Sequence, residues 1–98
     1  MNLVNPPDPA GTVYTVLEEI TLRPRSDLRG EVRLSRDLMV RGDAYELRLV
    51  PELERRLGIH PSGPEWATVD TVQDLIALVD AHAARGVATV PPAQLPAA

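Results

Sequence analysis

Three stretches of this chain place apolar side chains at helical spacing, a short fourth stretch suggests one helical turn, and no segment alternates apolar with polar for any length. Over residues 12–22, Val13, Val16, Leu17 and Ile20 fall at i, i+3, i+4 and i+7, the inward stripe of an amphipathic helix. Pro24 stops it. Residues 24–42 carry apolar side chains only at Leu28, Val32, Leu34, Leu38, Met39 and Val40, which predicts a long loop pinned by those residues. A second helix is expected from Asp43 to Leu57, with Leu49, Leu53 and Leu57 at i, i+4 and i+8, joined by Leu47 and Val50. Gly58 is a natural stop.

Pro51 conflicts with that second helix. It removes one i to i−4 hydrogen bond and crowds an earlier carbonyl, at about 3 kcal/mol in an ordinary helix interior. Two outcomes stay open: a kink, or two shorter helices meeting at Val50-Pro51 with proline at the favoured first position. His60-Pro61-Ser62-Gly63-Pro64 is turn chemistry, and Pro64-Glu65-Trp66-Ala67 is expected to form one short helical turn. The last helix is capped by Asp70 or Thr71, with Thr71 and Asp74 in a capping-box-like pair. Val72, Leu75, Ile76 and Val79 supply its stripe, and Gly86 is expected to end it.

This pattern predicts an all-α bundle. Residues 11–86 form the helical domain, between flexible proline-rich tails at 1–10 and 87–98, where Pro6, Pro7, Pro9, Pro91, Pro92 and Pro96 argue against helix. Ninety-eight residues make one domain with one modest core. Its aromatic residues are Tyr14, Tyr45 and Trp66, so aliphatic side chains must fill the interior, with Trp66 expected to be buried or half-buried.

The formal charge of −4, with all ten basic residues arginine and mixed among carboxylates, opposes nonspecific nucleic-acid binding. No apolar run approaches the ~20 residues of a membrane span, and the first residues lack the pattern of a signal peptide, so a cytoplasmic protein is expected. No disulfide or thiolate metal site is possible without cysteine. His60 and His82 lie 22 residues apart with no short-spaced ligand near either, so no metal site is expected. His60 reads as loop, and His82 as a residue near the end of the last helix, where a cation suits the dipole. Ser26, Ser35 and Ser62 read as turn residues. No nucleophile, base or metal constellation stands out, so neither enzyme activity nor a cofactor is expected.

Three segments carry a family likeness: Leu34 through Asp37-Leu38, then Glu52-Leu53-Glu54-Arg55-Arg56-Leu57-Gly58-Ile59, then Thr68-Val69-Asp70-Thr71-Val72-Gln73-Asp74-Leu75-Ile76. In order and spacing they resemble acyl carrier proteins, over about residues 12–84. The likeness implies an antiparallel four-helix bundle with a long loop between helices 1 and 2. Counting back from Gly58, Asp43 falls on the serine that carries phosphopantetheine, and Gly42 on the acidic residue before it. A Gly-Asp opening here is similar to uncharacterised bacterial acyl-carrier-like domains that also lack the serine. It implies the scaffold without the carrier chemistry, which needs a hydroxyl to attack coenzyme A.

A carboxylate cannot replace that hydroxyl, since it would give a labile mixed anhydride. Asp43 is expected instead to cap the second helix, with Glu46 three residues on, or to mimic the charge of a phosphorylated serine. Carriers dock through an acidic second helix, whereas here Glu46, Glu52 and Glu54 alternate with Arg48, Arg55 and Arg56. The expected function is a non-catalytic protein-interaction or regulatory module linked to lipid or polyketide metabolism. Its protein partner would dock on the second helix and the loop before it, through Arg41, Asp43, Tyr45, Glu46, Arg48, Glu52 and Arg55. The alternatives are an unorthodox carrier, a noncovalent binder of an acyl chain, and a small neutraliser or immunity-type protein.

Overall fold

The computed structural model describes residues 8–94, and the side chains of residues 8–84. Among them are four helices and no strand: α1 (Pro9–Thr21), α2 (Val50–Leu57), α3 (Gly63–Ala67) and α4 (Val72–Gln94). A 3₁₀ turn at Arg25–Asp27 follows α1, and a π-helical segment at Ala44–Leu49 runs directly into α2. We call that π segment and α2 together helix 2.

Helix α1 starts three residues before its predicted position. Pro9 stands at the opening turn, where its missing N–H is not needed and its fixed φ is already helical. Only residues 1–7 of the expected N-terminal tail therefore lie outside the helix and the described residues. Val13, Val16 and Leu17 are fully buried. The helix ends on Leu22, a left-handed residue at φ 59° whose N–H donates to the Glu18 carbonyl. Leu22 itself is 87% exposed.

The long loop is held as its sequence suggests. Leu28, Val32, Leu34, Leu38 and Val40 are buried, and they join Leu49, Leu53, Trp66, Leu75 and Val79 in one core. Met39 is the exception, 58% exposed, because a left-handed turn at φ 60° points it outward between two buried neighbours. The loop also completes α4. The N–H groups of Val72 and Gln73 lack helical acceptors, and they donate to the Val32 and Gly30 carbonyls at 2.9 Å. Leu34 N–H returns a bond to the Asp70 carbonyl, and Arg33 pairs with the Asp70 carboxylate at 3.0 Å.

At the same end, Asp74 accepts from the backbone N–H groups of Asp70 and Thr71, while Thr71 Oγ1 accepts from Asp74 N–H. The predicted Thr71–Asp74 pair is thus formed. The predicted stop at Gly86 is not, since α4 continues through Gly86 and Pro91-Pro92 to Gln94. Glycine lowers helix propensity by about 1 kcal/mol yet keeps its donor, and proline's φ is itself helical. Of the expected C-terminal tail, residues 95–98 lie outside the described residues.

Pro51 decides the form of helix 2. It occupies the first turn of α2, and the turn before it winds with i to i−5 bonds, as where Val50 N–H donates to the Tyr45 carbonyl. The rod neither breaks nor ends at Val50. Its wider winding absorbs the missing donor, a π segment being a known way to fit an irregularity into a helix. Leu47 points outward, 68% exposed, because it lies two residues from buried Leu49 and so on another side of the helix, not on the inner face that the sequence predicts.

Candidate functional site

The opening of helix 2 is built by Gly42. At φ 58° it takes a left-handed conformation that a side chain would strain, and its carbonyl accepts from the N–H groups of Tyr45 and Glu46 at 3.1 and 2.9 Å. Asp43 is therefore already helical, at φ −62° and ψ −35°, and its side chain makes no capping bond. This corrects the expected Asp43–Glu46 cap. A capping side chain must leave extended backbone to fold back on the helix, and Gly42 has displaced Asp43 from that position. The Asp43 carboxylate is exposed instead.

The seven residues expected to face a partner divide into groups. Arg41, Asp43, Glu46 and Arg48 are exposed, and their side chains form no ion pair among the described residues. Glu52 and Arg55 are engaged within the chain. Glu52 accepts from both Arg55 and Arg56, with the Arg56 bond at 2.5 Å, and Arg56 reaches across to Glu19 of α1 at 2.8 Å. The two guanidinium groups hold the Glu52 carboxyl below its usual range. The free charges thus cluster at the N-terminal half of helix 2.

Tyr45 is half-buried and belongs to the scaffold. Its hydroxyl donates to the Trp66 carbonyl at 2.6 Å, and its ring meets the Trp66 indole edge to face, with centroids 6.4 Å apart. Burial pushes the phenol up to about 12, so it stays a neutral donor. Trp66 is 6% exposed, and its indole N–H donates to Glu54 at 3.3 Å.

Helix α3 holds Trp66 in place through a capping box that the turn reading of Ser62 had missed. Ser62 Oγ accepts from Glu65 N–H, while the Glu65 carboxylate accepts from Ser62 N–H at 2.9 Å. The sequence signal was present as Ser62-x-x-Glu65. The other Glu65 oxygen lies 2.9 Å from His82 Nε2. Together the Ser62 N–H, the His82 ring and the Ser62 hydroxyl lower the Glu65 carboxyl to about 2. His82 thus lies well inside α4, with a side chain 12% exposed, and not at a helix end.

Around the Tyr45–Trp66 pair lies an open cleft of about 230 Å³, lined among others by Leu34, Val40, Arg41, Glu46 and Val69. A smaller hollow of about 190 Å³ adjoins it, against Val50, Gly63 and Ala67. Arg41 and Glu46 stand at this cleft, which gives it an apolar wall and two charges of opposite sign with no ionic partner among the described residues.

Ser35 lines the same cleft, Ser26 is exposed in the 3₁₀ turn, and His60 is an exposed loop residue. Among the described residues no three His, Cys, Asp or Glu side chains gather as a metal site would require. No helix among them is long and apolar enough to cross a membrane. Comparison with protein-family models, with curated proteins and with solved structures finds no match to this chain.

Proposed function

We propose that this chain is a non-catalytic acyl-carrier-like domain that binds a protein partner through the N-terminal half of helix 2. The observation that carries the reading is the division of charge along that helix. Arg41, Asp43, Glu46 and Arg48 have no ionic partner among the described residues, whereas Arg55 and Arg56 both pair with Glu52 and Arg56 also pairs with Glu19.

The scaffold is consistent with the resemblance in the order of its parts: a first helix, a long pinned loop, helix 2, a short third helix and a long fourth. Asp43 stands at the position matched to the carrier serine, exposed and without a capping role. Its carboxylate offers no hydroxyl for a phosphodiester, but it presents a negative charge where a carrier presents its phosphate. A partner meeting this surface needs a cation opposite Asp43 and Glu46, and an anion opposite Arg41 and Arg48. Such a pattern serves orientation and specificity more than raw affinity.

The test uses the full chain as bait in cells that express it. A partner held by wild type is expected to be lost from a bait carrying Arg41→Glu with Glu46→Arg, and retained by an Arg55→Glu bait. Equal retention by both variants would contradict the reading.

A further inference from the structure

Helix 2 carries a knob and a hollow side by side. Leu47 projects to 68% exposure. Its flank opens into a groove of about 380 Å³ between α1 and helix 2, with Val16, Ile20 and Pro51 as apolar lining and Glu19, Arg48, Glu52 and Arg56 as charged lining. Arg56 pairs with both Glu19 and Glu52, and Arg55 pairs with Glu52 as well. The groove therefore has an apolar floor that can take an aliphatic side chain, and Arg48 is its one charge without an ionic partner among the described residues. Glu46 and Arg48 flank Leu47 on opposite sides of the helix, and neither has an ionic partner among the described residues.

We infer that this face self-associates: two copies of the chain pack helix 2 against helix 2 about a two-fold axis, each seating Leu47 in the groove of the other. A patch that holds both knob and hollow is self-complementary, which is the requirement of an isologous contact. The charges fix the direction. When both helices run the same way along the axis, the rotation exchanges left and right flanks, so Glu46 of one copy comes beside Arg48 of the other, twice. An antiparallel two-fold would place Glu46 against Glu46 and Arg48 against Arg48. An unrelated apolar segment could fill the groove, but it would leave Leu47 and its two flanking charges unanswered.

This contact goes beyond the proposed partner surface. It uses the α1 side of helix 2, whereas the Arg41 cleft lies on the Tyr45–Trp66 side. Glu46 and Arg48 are shared, so a bound partner and a second copy would compete. The contact is narrow, which places its dissociation constant at about 10 µM to 1 mM.

Sedimentation equilibrium of the full chain across that range tests it. The wild-type mass is expected to climb from monomer towards dimer. Leu47→Glu, at an exposed position and with an unchanged circular dichroism spectrum, should raise the dissociation constant at least about tenfold. Glu46→Arg and Arg48→Glu should each weaken association alone, and an equimolar mixture of the two should restore it, because each supplies the charge the other lost. A strictly monomeric wild type would overturn the inference. So would association that Leu47→Glu leaves intact, assembly beyond the dimer, or a mixture no stronger than its components.

Discussion

The Tyr45 hydroxyl donates to the Trp66 carbonyl at 2.6 Å, tying the π segment of helix 2 to the short helix α3 across 21 residues of sequence. The two rings also meet edge to face, so one pair holds the wall of the cleft through both a polar and an aromatic contact. Tyr45→Phe keeps the ring and removes only the donor. It should cost about 1 kcal/mol in urea unfolding, the net worth of one such bond. Trp66 is the chain's one tryptophan, so its emission reports directly on the loss, and a variant as stable as wild type would show that the bond contributes nothing.

Acid stability depends on Glu65. Its carboxyl is lowered in the fold from the usual 4.5 to about 2, so it contributes stability above the unfolded value and loses it as pH falls between the two. Glu65→Gln should therefore be less stable than wild type at neutral pH. The difference should narrow between about pH 4.5 and 2, as the wild type loses its advantage. Thermal melts across that interval check it, and a difference independent of pH would place the effect elsewhere.

Leu22 is a residue of the wrong kind for its backbone. It is 87% exposed and held at φ 59°, where a side chain costs roughly 1–2 kcal/mol and glycine costs none. Leu22→Gly should raise stability by about 1 kcal/mol, seen as a higher urea midpoint with an unchanged slope. A lower midpoint would mean that Leu22 makes a contact its exposure does not suggest.

The parts legible in the sequence were those set by local chemistry or by strong periodicity. The stripe Val13, Val16 and Leu17 is fully buried, five of the six loop anchors lie in the core, and Thr71 with Asp74 caps α4. The errors cluster where a backbone choice at one residue redirects its neighbours. Gly42 took the left-handed position and so removed Asp43 from the cap. The turn before Pro51 is π-wound, and Leu47, two residues from buried Leu49, faces solvent and not the expected inner face. Treating Gly86 as a stop placed His82 at a helix end, although α4 continues past it and His82 meets Glu65. The candidate site was legible as a set of charged residues, but not as two groups. Whether an arginine is free depends on contacts such as Arg56 with Glu19, 37 residues apart, which no local pattern announces.

Intact mass distinguishes the proposed carrier-like scaffold, with Asp43 in place of the attachment serine, from a working carrier. Wild type and Asp43→Ser would each be incubated with coenzyme A and a promiscuous phosphopantetheinyl transferase. Only the serine variant is expected to gain the mass of the phosphopantetheine arm. Modification of wild type would contradict it by revealing an attachment point other than residue 43, and failure of both proteins to react would contradict the likeness to a carrier.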